Sequence, residues 1–323
     1  MNVFLLLLFF LILFGIELVY FQIADKYNII DHPNHRSSHT DVTIRGGGII
    51  FSIALLLGPL YFGWEYKYFL AGLCLITLIS FIDDVRHIKK RVRIVFHLMA
   101  VALLFQQLHV YDLPFYWIIG GFVLFIGTIN AVNFMDGING ITGGYSLVTL
   151  LTLCYINANV VLFTDGKLLV ISVISVLVFN FFNFRIKAKC FAGDVGSVSI
   201  AFIMLFFLLQ LIIKTNDLNY LLLLLIYGLD STTTILFRIL RKENVTEAHR
   251  THLYQFLVNE KKASHLMVAA LYMVVQGVIN VILICFLSKS PLSFALAMVT
   301  ATLIFVLIRL KLEGKRRLLN IEE

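Results

Sequence analysis

The sequence predicts an all-α, polytopic integral membrane protein of about eleven transmembrane helices, and three observations carry that prediction. The 323 residues are 60% hydrophobic, with a mean hydropathy of +0.92. No water-soluble core needs that much apolar surface. Apolar runs of roughly 20 residues, the length of one membrane crossing, recur along the whole chain. The polar segments between them alternate sharply in charge.

The expected spans are 1–21, 47–63, 66–82, 94–110, 115–132, 141–157, 166–184, 195–213, 218–237, 264–286 and 291–310. The first run has neither a basic flank nor a small-residue cleavage site, so it reads as a retained helix. Nearly all of the 26 lysines and arginines fall on one side of these spans; the exceptions are Lys67, Lys167, Lys214 and Lys289. The basic side is expected to be cytoplasmic, which puts the N-terminus outside and the C-terminus inside. The net charge of +7 therefore reports topology, and no nucleic-acid partner is expected. The longest polar stretches are too short for a core of their own. The chain reads as a single transmembrane catalytic domain, 1–323, whose site forms from loops 22–46, 83–93, 133–140, 185–194 and 238–263. The four cysteines (Cys74, Cys154, Cys190 and Cys285) are scattered and read as free thiols.

Five carboxylates stand at or near helix ends: Asp83, Asp84, Asp136, Asp194 and Asp230. Keeping a carboxylate at the edge of hydrocarbon costs a few kcal/mol or more, so their retention points to use. In the first loop, which also carries Arg36 and His39, Arg45-Gly46-Gly47-Gly48 could bring backbone N–H groups and a guanidinium to an anion. A flexible hinge is the plainer alternative. Asp83 and Asp84, adjacent at a helix C-terminus, are badly placed for the dipole. They suit a shared Mg²⁺.

The third loop spaces Asn130, Asn133, Asp136 and Asn139 three apart among glycines. If its first part is helical, Asn130, Asn133 and Asp136 share roughly one face, and the amides suit a hydrogen-bonding ligand such as a nucleotide. Helix capping is the alternative. In the fourth loop Asp194 lies between Gly193 and Gly196 and is either an N-cap or a metal ligand. In the second case Lys189 or a neighbouring basic residue could take phosphates, and Phe191 could stack on a base. The fifth loop carries His249, Arg250 and His252, with a phosphate-contacting or acid–base role favoured over zinc. Asp230, two turns before Arg238, reads as a structural partner. His97 and His109 read as structural, away from the cytoplasmic loops, and His265 as interfacial.

In one order, Asp83-Asp84, Asn130 to Gly140, Phe191-Ala-Gly-Asp194-Val-Gly-Ser197 and His249-Arg-Thr-His252 resemble the polyprenyl-phosphate N-acetylhexosamine-1-phosphate transferases. The likeness spans nearly the whole chain and is greatest to the branch that primes O-antigen or capsule assembly. It implies transfer of an N-acetylhexosamine 1-phosphate from a UDP-sugar to undecaprenyl phosphate, with release of UMP. Mg²⁺ would be the cofactor, with Mn²⁺ as a substitute. The place implied is the bacterial inner membrane, with the site on the cytoplasmic face; the superfamily is often dimeric.

By the resemblance Asp194 would bind metal, with Asp83 and Asp84 positioning the lipid phosphate, acting as base or aiding the metal. Asn133 and Asp136 would lie near the nucleoside and diphosphate, and Phe191 beside the uracil. His249 and His252 would face the diphosphate or sugar, and Arg45 the phosphates. The sequence departs from the family at Asn139, where members usually have an acidic residue, and at Val42-Thr43-Ile44, where this branch commonly has Pro-Thr-Pro. The competing class is a transporter or lipid flippase, which would hold its ionisable residues nearer the midplane.

Overall fold

The computed structural model describes residues 3–31, 42–245, 247, 249–287 and 289–320. Arg36 and His39 lie outside that set. The chain runs through α1 (Val3–Lys26), a two-stranded antiparallel ribbon of β1 (Ile30–Asp31) and β2 (Thr43–Ile44), α2 (Ile49–Leu57), α3 (Pro59–Phe62), α4 (Lys67–Val85), α5 (Lys90–Gln107) and α6 (Phe115–Met135). It continues through α7 (Ile141–Asn159), α8 (Gly166–Asn183), α9 (Gly193–Thr215), α10 (Leu225–Leu240), α11 (Leu253–Asn259), α12 (His265–Phe286), α13 (Pro291–Glu313) and α14 (Lys315–Leu319).

The prediction of an all-α membrane protein holds. Among the described residues nine helical segments are long and apolar enough to cross a bilayer. Two of the eleven expected spans do not meet that measure. The span expected at 47–63 breaks into α2 and α3, because Pro59 has no N–H to continue α2 and its ring starts a new helix. The span expected at 94–110 begins earlier, so the first turn of α5 takes in Lys90, Arg91 and Arg93. Elsewhere, the span expected at 218–237 opens as a 3₁₀ turn, Leu218–Leu224, before α10.

Helix α9 is the hub. It packs on α4, α6, α2 and α7, and 78% of its most apolar stretch is buried within the protein, against 6% for α13. Close ring stacking of Phe69 on Phe206 (centroids 3.7 Å apart) locks α4 to α9. This central position decides where the site lies, since Asp194 is in the first turn of α9.

Candidate active site

The first and fourth loops are stapled together by backbone. Phe191 donates its N–H to Ile44 O (2.8 Å), and Gly47 and Gly48 donate theirs to Phe191 O (2.9 Å) and Ala192 O (3.2 Å). The glycine run was expected to turn its N–H groups to an anion, but two of the three are taken by this pairing. The glycines serve close approach instead. A Cβ on Gly48 would stand 2.3 Å from Gly196 Cα, so α2 and α9 cross backbone to backbone. Phe191 is half-buried in that staple and Lys189 is exposed beside it.

The acidic pair lies in the last turn of α4, and its members face different ways. Asp84 Oδ1 accepts from Arg45 Nε (2.7 Å) and Asp194 N–H (2.9 Å), and Oδ2 accepts from Val195 N–H (2.9 Å). Its side chain is fully buried. Asp84 thus caps α9 from a neighbouring helix, satisfying N–H groups that the first turn leaves open. Asp83 Oδ1 accepts the Ile88 N–H (2.6 Å), and Oδ2 accepts from Arg93 Nη1. The same Nη1 donates to Asp194 Oδ2 (2.8 Å), while Arg45 Nη2 stands 3.7 Å from Asp194 Oδ1. Three carboxylates therefore meet two guanidiniums. Arg93, which sequence reasoning left among the topology-setting charges, is the bridge between two of the acids. Among the described residues no three His, Cys, Asp or Glu side chains already form a metal cage.

Helix α6 delivers Asn130 and Asn133 from its last two turns. Asn133 Oδ1 accepts from Ser197 Oγ (2.7 Å) of α9, and Asn130 donates back to Ile126 O (2.8 Å). Asp136 follows at the helix end. Burial pushes its carboxyl up to about 6 against the pull of the Thr142 hydroxyl, with Asp84 adding to the rise. Asn139 is buried, and its amide donates to Arg185 O and Ile186 O (3.0 Å each). It ties the third loop to the fourth.

The fifth loop is organised by buried charges. Arg238 donates to Glu243 (2.9 Å) and to the carbonyls of Asn244, Val245 and Glu247. Asp230 accepts N–H groups of Leu253 (2.9 Å) and Tyr254 (3.3 Å) at the start of α11, and the Tyr272 hydroxyl (2.7 Å). This confirms its structural reading. Arg309 of α13 donates to Thr251 O (2.9 Å) and lies 3.8 Å from Asp230. Tyr254 closes the loop onto α6 by donating to Phe134 O (3.0 Å). The loop so held places the His252 ring 4.9 Å from that of His249. Burial, with His252 and Arg238 beside it, lowers His249 to about 4 and keeps it neutral.

A cavity of about 430 Å³ lies where these parts converge. Asn130, Asn133, Asp194, His249 and His252 line it, as expected from the sequence. Its walls also include Lys90, Arg93, His97 and Phe134, which sequence reasoning did not place there. His97 corrects the reading of a residue remote from the loops: α5 starts early enough that it lines the cavity one turn beyond Arg93. The spacing Lys90–Arg93–His97 places the three on one helical face once α5 is seen to start at Lys90. Asp83, Asp84 and Arg45 stand behind Asp194 and Arg93. Asp136, Asn139, Lys189, Phe191 and Arg250 are not among the lining residues.

The sequence profile of glycosyl transferase family 4 matches residues 66–212, which hold both acidic positions of α4, the Asn–Asp loop and Asp194. Over 318 residues the chain is 24% identical to a Bacillus subtilis (strain 168) protein described as a probable undecaprenyl-phosphate N-acetylglucosaminyl 1-phosphate transferase, covering 91% of this chain and 87% of that one. It is 26% identical over 214 residues to the undecaprenyl-phosphate α-N-acetylglucosaminyl 1-phosphate transferase of Yersinia pestis, covering 58% of this chain and 57% of that one. A phospho-N-acetylmuramoyl-pentapeptide-transferase of Dictyoglomus turgidum is 29% identical over 174 residues, 48% of this chain and 55% of its own. Over its central part the chain is thus similar to glycosyl transferase family 4, and over most of its length to an undecaprenyl-phosphate sugar-1-phosphate transferase.

Proposed function

We propose that the protein transfers an N-acetylhexosamine 1-phosphate, GlcNAc or a related amino sugar, from its UDP-sugar to undecaprenyl phosphate, and that UMP leaves. This is the first membrane step of a cell-surface polysaccharide such as an O-antigen or capsule. The observation that carries the reading is the cavity, with Asp194, Asn130, Asn133, Lys90, Arg93 and four histidines around one space. That set suits two phosphate-bearing substrates.

The lipid phosphate oxygen forms a bond to the β-phosphorus of the UDP-sugar, and the bond from that phosphorus to the bridging oxygen breaks. The electron pair leaves on UMP. A phosphate monoester has its second pKa near 6, so much of the nucleophile is already dianionic and needs no strong base. Lys90 and Arg93 offset the repulsion between the two substrates and orient them. Neutral His249 and the asparagine amides hydrogen-bond the diphosphate and nucleotide. A phospho-enzyme trapped with UDP-sugar alone would replace this one-step route by a two-step one.

A divalent ion, Mg²⁺ by this reading, fits the donor set. Asp194 and Asp83 both point at one guanidinium nitrogen, so a positive charge between them is already favoured. Two hard carboxylates with substrate phosphate oxygens are what Mg²⁺ prefers. Held there by Asp194 and Asp83, such an ion would supply Lewis-acid stabilisation of phosphoryl charge. Asp84, expected as a second ligand, is better suited to positioning Arg45 and the start of α9. Asn139 and Phe191 are better suited to holding the loops together than to touching uracil.

The charge asymmetry of the loops supports a cytoplasmic site with the N-terminus outside; a bacterial inner membrane and a homodimeric assembly rest on the family resemblance. The acids gather at the ends of α4 and α9, unlike the midplane sites of a transporter or flippase. The test is transfer of label from UDP-[¹⁴C]GlcNAc, then from a panel of UDP-N-acetylhexosamines, to undecaprenyl phosphate, with and without EDTA. The expected product is an EDTA-sensitive lipid diphosphosugar. No such product from any member of the panel overturns the reading in favour of transport.

A further inference from the structure

His97 lines the cavity and has no part in the chemistry just described. His97 is 2% exposed, and its Nε2 meets no hydrogen-bond partner among the described residues. Buried polar atoms in native proteins are almost always paired, so an orphan at the wall of a cavity marks a place where a ligand atom belongs. Helix α5 turns Lys90, Arg93 and His97 to the same space, and His97 lies about 6 Å further along the helix axis than Arg93. Asn130 and Asn133 of α6 line the cavity from across it. Two cations stand toward the polar end of this face, and an uncharged hydrogen-bonding ring stands at its inner end. Ile94 shares the lining at 46% exposure, and Val95, Leu98 and Met99 continue an exposed apolar face along α5. An anionic head joined to a hydrocarbon chain would find both halves of its chemistry along this one helix.

We propose that His97 is a substrate-binding residue whose imidazole N–H donates to a phosphate oxygen at the inner end of the cavity, beyond Arg93. The proposal rests on the phosphate-transfer reading for the identity of the phosphate, which either the lipid monophosphate or the sugar diphosphate could supply. Full-length enzyme is compared with His97→Phe, which fills the space without hydrogen bonding, and with His97→Gln, which keeps an N–H donor.

In His97→Phe the KM for undecaprenyl phosphate is expected to rise about tenfold, the loss of one hydrogen bond to a charged group. The KM for the UDP-sugar and the unliganded melting temperature stay as in the wild type, and His97→Gln recovers most of the loss. A rise confined to the UDP-sugar KM assigns the contact to the diphosphate and sustains the proposal. Unchanged KM values in His97→Phe overturn it, as does an equal loss in both variants accompanied by a lower melting temperature.

A second readout needs no turnover: the melting-temperature shift produced by undecaprenyl phosphate, compared with undecaprenol, and by the UDP-sugar. A wild type that shifts with a phosphate ligand but shows no transfer removes only the transferase reading. His97→Phe then still decides, since a shift as large as the wild type's overturns the proposal. A wild type that shifts with neither phosphate ligand overturns both.

Discussion

Two carboxylates in this protein make the same unusual contact, and only one of them stands in surroundings suited to chemistry. Asp84 reaches from α4 to accept two N–H groups at the start of α9. Asp230 reaches from α10 to accept two at the start of α11. Each has an arginine nearby, Arg45 at 2.7 Å and Arg309 at 3.8 Å. Around Asp230, Arg309 pairs with Glu313 (2.5 Å) and Glu313 with Arg317 (3.3 Å), whose other partner, Glu260, is exposed to solvent. Around Asp84, Asp83 and Asp194 share the one guanidinium of Arg93, and Asp194 lines the cavity. The first hub fixes a loop. The second borders a cavity, with two carboxylates facing a single cation.

The widest separation between the two hubs should appear in Asp194→Asn. Transfer falls by about a hundredfold or more, as when a group stabilising transition-state charge is removed, while the melting temperature stays put. Full activity in this variant would end the assignment of Asp194 to the reaction. Asp230→Ala should do the reverse and lower the melting temperature first. It leaves the α11 N–H groups open and weakens a buried ion-pair network, a change that costs about 3 kcal/mol or more. A stable but inactive Asp230→Ala would erase the contrast.

Asp136 sharpens the comparison through pH. Its folded carboxyl sits near 6 against an ordinary 3.8, so the unfolded chain releases this proton first as pH rises. The favourable contribution is complete below about pH 4 and is lost as pH rises through about 6. Asp136→Asn should therefore match the wild type's unfolding free energy in acid and exceed it above neutrality by about 3 kcal/mol. An advantage that does not grow with pH would show that the carboxyl is not held protonated by burial. The smallest effect is expected at Asn139. Its amide donates to two carbonyls, which an ionised aspartate could not do, so Asn139→Asp should destabilise by about 1–3 kcal/mol. Unchanged stability would mean that the loop rearranges to readmit the acid usual in the family.

Much of this was legible in the chain. Apolar length and the sorting of basic residues gave the membrane class and the loops that converge. Asn130, Asn133, Asp194, His249 and His252, read from loop composition, do line one cavity. The division of labour between Asp83 and Asp84 was not legible, because it depends on which way two adjacent side chains leave the last turn of α4. Nor was the occupation of Gly47 and Gly48, whose N–H groups are taken by residues more than 140 positions away. Arg93 and His97 were hidden differently. Both lie in a segment whose cationic first turn looked like loop, so the face they share with Lys90 was cut by a misplaced helix start.

Arg309 sits on α13, the helix least embraced by the rest of the protein, yet its guanidinium holds the carbonyl of Thr251, next to His252. Synthesis runs from N- to C-terminus, so the histidine loop emerges well before the residue that clamps it. A nascent chain built as far as α12 would carry every cavity-lining group and still lack this brace. The histidine loop would take its final form only once α13 has been made and packed.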